Sequence, residues 1–215
     1  MKRIKPILII AAIIAAIVLI ILGSVWLYMY NADYGFYKTV PQDEANARTK
    51  LVQTAEEWLG CKESDGSHEA IIDLYNSHTP LAQNYTVKYD DEWCATFVSA
   101  TAIQCGFTDI IPTECGCQRQ IGLFKELGVW EEADDYKPLP GDIIYYCWTD
   151  TSTNGDCTGW ADHVGIVVGT AGDFIKVIEG NKSEEVAYRY ISIDAPGIRG
   201  YAVPDYCSIK EKLLG

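Results

Sequence analysis

The side chains best suited to chemistry are a cysteine, a histidine and a carboxylate that lie far apart along the chain. Cys94 is predicted to occupy the first turn of a helix that begins near Glu92. There the helix dipole and unpaired N–H groups favour a thiolate. His163 opens a predicted strand, which is a rigid position for the general base that a nucleophile needs. No serine lies in a Gly-x-Ser-x-Gly turn, so the thiol is the preferred nucleophile.

A hairpin is expected to bring Glu179 to His163. A three-residue loop, Thr170-Ala171-Gly172, suits the common hairpin closed by a glycine at positive φ. This loop places His163 directly opposite Glu179, with Cβ atoms about 5 Å apart. A loop of two or four residues would instead turn Glu179 to the other face of the sheet. The three-residue loop therefore predicts a histidine–carboxylate pair, and Asn181 follows two residues later.

The N-cap of the Cys94 helix has two candidates. If Asp91 caps the helix, its carboxylate competes for the Cys94 N–H; if Asp90 caps it, that N–H is freer to donate to an oxyanion. The sequence leaves both open.

Four short motifs occur in an order that resembles one enzyme family. Trp93-Cys94-Ala95-x-Phe97-Val98-Ser99 is similar to the nucleophile segment of CHAP domains, the cysteine, histidine-dependent amidohydrolases/peptidases. Three further segments of the chain are similar to the other signatures of that family: Pro140-Gly141-Asp142-Ile143-Ile144, His163-Val164-Gly165-Ile166-Val167 and Ile178-Glu179-Gly180-Asn181. The resemblance covers most of residues 43–206. It implies a papain-like fold and cleavage of peptide or amide bonds in bacterial peptidoglycan through an acyl-enzyme.

The resemblance also implies a role for each matching residue. Cys94 is the nucleophile, His163 is the base and then the acid, Glu179 orients His163, and Asn181 supports the site. We further expect Trp93 and Trp160 to contact the substrate, and we expect no cofactor and no metal. The segment 150–156 imitates the start of a calcium loop, but Ala161 stands where an EF-hand needs its twelfth-position Glu. We therefore interpret this segment as a turn-rich loop.

The periodicity predicts an α+β fold. Apolar residues at helical spacing predict four helices in the first half, near 43–59, 67–75, 92–105 and 117–127. Short β-branched and aromatic runs predict strands at 142–148, 163–168, 174–179, 185–191 and 199–203. Helices followed by a meander of strands indicate helices packed on an antiparallel sheet.

An uncharged stretch from Ile7 to Tyr30 predicts a transmembrane signal-anchor. As a helix it would be roughly 36 Å long, against a hydrocarbon core of about 30 Å. Positive charges precede it, which predicts a cytoplasmic N-terminus (1–6) and an extracellular catalytic domain on a single-pass protein of the cell membrane. The resemblance to CHAP domains further implies a bacterium, of Gram-positive type. The predicted organisation continues with a linker (31–42), the catalytic domain (43–206) and a C-terminal tail (207–215).

The net charge and the cysteine positions indicate which partners and which disulfides to expect. The 215 residues carry 30 Asp+Glu against 17 Lys+Arg, a formal net charge of −13, which argues against nucleic acid as a partner. Among the eight cysteines, Cys147 and Cys157 are the most plausible disulfide because they flank one loop. Cys115-Gly-Cys117 is a poor zinc motif without a second pair.

The sequence as a whole predicts a membrane-anchored peptidoglycan hydrolase using Cys94, His163 and Glu179. Three alternatives stay open: an NlpC-type endopeptidase, a thiol acyltransferase that passes the acyl group to an amine, and a catalytically silent protein that binds or scaffolds the cell wall.

Overall fold

The computed structural model describes residues 10–24, 40–133, 135–149 and 157–209. The chain divides into two compact units, Met1–Thr39 and Val40–Gly215, which are described separately.

The N-terminal unit contains one described helix, α1, which covers residues 10–24 with exposed side chains. Within the described residues no helix combines the length and apolar character needed to cross a membrane. The transmembrane helix predicted over 7–30 is therefore wrong as an element of this fold. The ends of that predicted span lie outside the described residues.

The second unit begins with helices that surround one buried helix. These helices are α2 (Gln42–Glu56), α3 (Glu69–Ser77), α4 (Cys94–Cys105) and α5 (Cys117–Glu126). α4 is buried along nearly its whole length and packs against α2, α3, α5 and the sheet. It ends at Gly106, whose φ of 74° is a left-handed conformation that glycine adopts without strain.

Six antiparallel strands form a single sheet in the order β1-β6-β2-β3-β4-β5. The strands are β1 (Trp130–Glu131), β2 (Ile143–Tyr146), β3 (His163–Ala171), β4 (Phe174–Glu179), β5 (Ala187–Ser192) and β6 (Ile198–Ala202). The predicted α+β class with an antiparallel sheet is thus confirmed, and the five predicted strands are present. The short β1 was not predicted, because two residues are too few to show a period.

The predicted hairpin loop between β3 and β4 is wrong. Ala171 pairs with Phe174, so the turn has two residues, Gly172 and Asp173, rather than three. A two-residue turn with regular pairing would have put Glu179 on the face opposite His163. The structure compensates with a β-bulge at Val168, since the register shifts between Val167 and Gly169. Beyond the bulge Ile166 pairs with Ile178, which restores the same-face relation of His163 and Glu179.

Candidate active site

Cys94 is the first residue of the buried helix α4. No side chain caps this helix. Asp91, one of the two predicted caps, instead accepts hydrogen bonds at Oδ2 from the Lys88 N–H at 2.8 Å and from the Tyr85 hydroxyl at 2.7 Å. The first-turn N–H groups of α4 therefore have no carboxylate competing for them. They lie beside the thiol, where they are suited to bind an oxyanion.

The Cys94 thiol lies beside the His163 ring, and each of the two groups shifts the pKa of the other. β3 packs against α4, and His163 is the first residue of that strand, so helix start and strand start meet. The sulfur and the imidazole converge from positions that are 69 residues apart in the sequence. This contact is what a thiolate–imidazolium nucleophile needs.

Glu179 stands behind His163 as the predicted orienting carboxylate. Its Oε2 lies 3.0 Å from His163 Nε2, and the carboxylate is fully buried. The two residues are diagonal rather than directly opposite, because the ladder that pairs Ile166 with Ile178 brings Glu179 level with Gly165. A Cβ added at Gly165 would lie 2.7 Å from the Glu179 Cγ. The missing side chain at Gly165 therefore gives the carboxylate its space.

Arg189 completes this line of charges. Its Nε donates to Glu179 Oε1 at 2.6 Å, so each oxygen of the carboxylate has one partner. β5 pairs with β4 so that Ala187 faces Glu179, and Arg189 reaches across diagonally on the same face. Sequence reasoning missed Arg189. Side chains alternate between the two faces of β5, which places Arg189 on the same face as Ala187. This alternation identifies Arg189 as a partner of Glu179 only when the pairing of β4 with β5 is known.

Burial disfavours the charged forms of His163 and Glu179, and hydrogen bonds outweigh this effect of burial. Bonds to Cys94 and Glu179 raise the pKa of His163 to about 9. Bonds from His163 and Arg189 lower the pKa of Glu179 below its ordinary value of 4.5. The His163 imidazolium and the Glu179 carboxylate are thus both favoured at neutral pH.

A second thiol contacts the nucleophile. Cys117 Sγ lies 3.5 Å from Cys94 Sγ, at the first residue of α5. A hydrogen bond from Cys117 is the largest cause that lowers the pKa of Cys94, to about 5, followed by the bond and charge of His163. Bonding to the Cys94 thiolate conversely raises the pKa of Cys117 well above its ordinary value of 9.0. Cys117 is therefore the thiol that keeps its proton and donates it.

Two stacked aromatic rings, Tyr146 and Trp148, lie beside His163. Tyr146 pairs with His163 across β2 and β3, and their rings stack with centroids 5.9 Å apart. Trp148 also stacks on Tyr146, with centroids 4.6 Å apart, and is 43% exposed. The Arg189 guanidinium lies 5.0 Å from the centre of the Trp148 ring. Trp148 is thus an exposed aromatic face linked through Arg189 to Glu179.

These geometric features coincide with a match to a known family. Residues 84–181 match the family model of the CHAP domain. The matched stretch contains Cys94, Cys117, His163, Glu179 and Asn181, and it ends before Arg189. A CHAP domain implies amidohydrolase or peptidase activity in general, and it indicates peptidoglycan as the substrate class. No curated protein and no solved structure matches the chain.

Asn181, which follows the last matched strand, does not bond to His163. Its Nδ2 donates to Glu92 Oε2 at 2.5 Å. Asn181 has a φ of 54°, a left-handed conformation that Asn tolerates better than most residues. The amide therefore ties the end of β4 to the residues that lead into α4.

The two predicted substrate-contacting tryptophans have different surroundings. Trp93 is fully buried, and its Nε1 donates to Glu63 at 2.9 Å, so its ring offers no surface to a substrate. Trp160 is 70% exposed, and the next residue, Ala161, donates its N–H to Gln118 of α5 at 3.0 Å. Of the two, Trp160 is the one that remains available for binding within the CHAP match.

The cysteine predictions outside the nucleophile are partly confirmed. Cys147 and Cys157 form a disulfide, as their positions on either side of one loop predicted. The loop itself, including the calcium-like stretch, lies outside the described residues. In the parts of the chain that the structure describes, no three His, Cys, Asp or Glu side chains are grouped to hold a metal.

Proposed function

We propose that this protein is a cysteine hydrolase that cleaves an amide or peptide bond of peptidoglycan, with Cys94 as nucleophile. The observation that carries the proposal is the continuous line of contacts from Cys94 through His163 and Glu179 to Arg189. The CHAP match over the same residues supports the substrate class. The roles of the individual residues are part of the proposal.

The proposed reaction begins with attack of the Cys94 thiolate on the carbonyl carbon. A C–S bond forms, and the carbonyl electron pair moves to oxygen, where N–H groups in the first turn of α4 stabilise the negative charge. The His163 imidazolium then donates its proton to the leaving amine as the C–N bond breaks. This leaves a thioester on Cys94 and a neutral imidazole.

Water completes the cycle. Neutral His163 takes a proton from a water molecule, whose oxygen attacks the thioester and releases a carboxylic acid. The C–S bond breaks, and the thiolate–imidazolium pair is restored. Glu179 holds the ring in one orientation and stabilises its positive charge throughout.

Hydrolysis of purified peptidoglycan by the full-length chain is the direct test. We expect soluble fragments that have gained one water at the cleaved bond, identified by mass spectrometry, and the masses also identify the bond. Products carrying a new amine would instead indicate the acyltransferase alternative. Binding to the wall without any fragments would indicate a catalytically silent protein and overturn the proposal.

The first prediction concerns the nucleophile. Cys94→Ala should lower the rate of fragment release by about 10³-fold or more, because residues of such a unit lose most activity singly. Cys105→Ala is a matched control, because both thiols are 5% exposed and lie at opposite ends of α4. Equal losses in both variants would mean that packing, rather than the reactivity of Cys94, explains the effect.

We also propose that the catalytic domain works outside the cytoplasm. The Cys147–Cys157 disulfide supports this, because disulfides persist in oxidising compartments. Fractionation of cells, with alkylation before lysis, tests it. Finding these two thiols reduced on the native protein would contradict the proposal.

A further inference from the structure

The Cys94–Cys117 contact joins the nucleophile to a thiol that the proposed reaction does not consume. Both sulfurs are free in the structure, and the two residues are 5% and 7% exposed. Their 3.5 Å separation must shorten by roughly 1.5 Å to reach the length of a disulfide. Each residue opens a helix, so a small rotation of either side chain changes this distance without moving a helix interior.

The position of Cys117 is fixed by a network rather than by chance contact. Ser99 lies five residues after Cys94 on α4. Its Oγ donates to the Glu114 carbonyl at 2.7 Å and accepts from the Glu114 N–H at 2.9 Å. The buried Glu114 carboxylate then accepts from the N–H groups of Cys115 and Gly116, at 2.8 and 3.2 Å. Through these bonds α4 holds the segment that carries Cys117 beside Cys94.

The neighbouring thiol, Cys115, is directed elsewhere. Its Sγ lies 3.9 Å from Gln83 Nε2, which donates to it. Only the second cysteine of the Cys115-Gly-Cys117 motif contacts the nucleophile. The motif therefore supplies one partner for Cys94 and one natural control.

We propose that Cys94 and Cys117 form a reversible disulfide that switches the enzyme off and protects its nucleophile from irreversible oxidation. The proposal rests on the proposed function, since it takes Cys94 as the catalytic thiolate. The oxidant is a hydroperoxide as small as hydrogen peroxide, which suits two sulfurs with so little exposed surface. A small dithiol reverses the reaction.

The chemistry balances in two steps. The Cys94 thiolate attacks one peroxide oxygen, the O–O bond breaks, and Cys94 becomes a sulfenic acid while the other oxygen leaves as hydroxide and is protonated to water. The Cys117 sulfur then attacks the Cys94 sulfur, and the sulfenic hydroxyl leaves with the Cys117 proton as a second water. Two thiols are oxidised by two electrons in total, and one peroxide is reduced.

Mass spectrometry of the full-length protein tests this independently of activity. After treatment with hydrogen peroxide, the wild type should lose two hydrogens and yield a peptide pair linked through residues 94 and 117. Dithiothreitol should remove the link and restore peptidoglycan hydrolysis. Cys117→Ser should instead accumulate sulfinic or sulfonic acid at Cys94, with roughly tenfold less activity recovered by dithiothreitol.

Cys115→Ser is the matched control, and it should behave as the wild type. A wild type that acquires sulfinic acid at Cys94 with no linked peptide would overturn the inference. So would equal recovery of the wild type and Cys117→Ser. A protein that forms the link but releases no fragments when reduced would separate the two proposals, because the disulfide would stand while the hydrolase function would fail.

Discussion

The thiol and the imidazole at the centre of the site stabilise each other's charged forms. Donation from Cys117 and His163 lowers the pKa of Cys94, while bonds to Cys94 and Glu179 raise the pKa of His163. In the proposed mechanism the thiolate–imidazolium pair is present at pH values between the pKa of Cys94 and the pKa of His163.

The second prediction is the pH dependence of peptidoglycan hydrolysis. Activity should rise as pH passes about 5, because the Cys94 thiolate forms there, and fall above about 9, because His163 then loses its proton. Rates of fragment release across this range, with alkylation of Cys94 as a second readout, provide the measurement. A single rise near the ordinary thiol pKa of 9.0 would exclude the ion pair.

Glu179→Gln provides the control for this profile. The carboxylate helps to raise the pKa of His163, so its removal should move the alkaline fall of activity to lower pH. An unchanged alkaline limb would mean that His163 is not the group titrating there.

The third prediction concerns Arg189 as a positioning residue. Arg189→Met removes one of the two partners of the Glu179 carboxylate, so the orientation of His163 should loosen and activity fall by about 10-fold. The Glu179 carboxylate, left without Arg189, should also raise the pKa of His163, so activity should fall only at a higher pH. A general loss of folding would not cause this shift. Lys176→Met is the matched loss of charge, since Lys176 pairs with Glu56 at 3.9 Å and lies over the Tyr188 ring, without a bond to Glu179. A fall in activity without the shift in pH profile would contradict the positioning role.

At the scale of elements, the site depends on how α4 and the β3–β4 hairpin fit together. The bulge at Val168 sets which face Glu179 occupies, and glycines set how closely the elements approach. A Cβ at Gly165 would lie 2.6 Å from Val177 Cγ1, and one at Gly180 would overlap Cβ and Cγ of Phe97 on α4. Neither position has room for a side chain.

The fourth prediction compares two glycines of one strand. Gly165→Ala should lower the free energy of unfolding by about 1–3 kcal/mol and reduce activity, because the added methyl group displaces Glu179. Gly169→Ala should have little effect, since its Cβ would meet no atom within 4 Å. Urea denaturation and hydrolysis rates of the two variants provide the measurement. Similar losses at both positions would show that strand conformation, not space beside Glu179, requires glycine.

At the scale of the whole molecule, a buried ion pair joins the first helix of the catalytic unit to the sheet. Arg48 of α2 donates to Asp142 Oδ1 at 2.7 Å and to the Pro140 carbonyl at 3.1 Å, and both charged residues are buried. The other carboxylate oxygen accepts from the Tyr136 hydroxyl at 2.6 Å and the Leu139 N–H at 2.8 Å. The Pro-Gly-Asp motif thus connects helices and sheet and lies outside the reacting groups.

The fifth prediction follows from this burial. Arg48→Ala should lower the free energy of unfolding by about 3–5 kcal/mol, because it leaves the Asp142 carboxylate buried without its countercharge. The double variant Arg48→Met with Asp142→Asn should lose less, since neither charge then remains. Alanine at Lys62, whose pair with Asp65 is exposed, should cost less than about 1 kcal/mol. Urea denaturation tests all three, and a double variant less stable than Arg48→Ala would contradict the explanation.

The sequence alone predicted most of the elements and the candidate reacting groups. Apolar spacing placed α2 to α5 and five strands, because burial of one face imposes a period on any helix or strand. Residue chemistry made Cys94 and His163 candidates, because one lies in a first helical turn and the other at a strand start. Glu179 became a candidate through a hairpin loop that proved wrong and through the family resemblance. The same approach was wrong at the apolar N-terminus, where hydropathy over 7–30 predicted a transmembrane helix that the described residues do not contain.

Only the tertiary structure decided which groups touch. The bulge at Val168, the diagonal reach of Arg189 and the contact of Cys117 with Cys94 each depend on distances between elements that are remote in sequence. A period of two residues gives the face of a strand but not its register, and one extra residue reverses the face. Helix spacing likewise does not reveal that Ser99 and Glu114 bring a second thiol to the nucleophile. Local patterns thus fixed what each segment is, and packing fixed what each side chain meets.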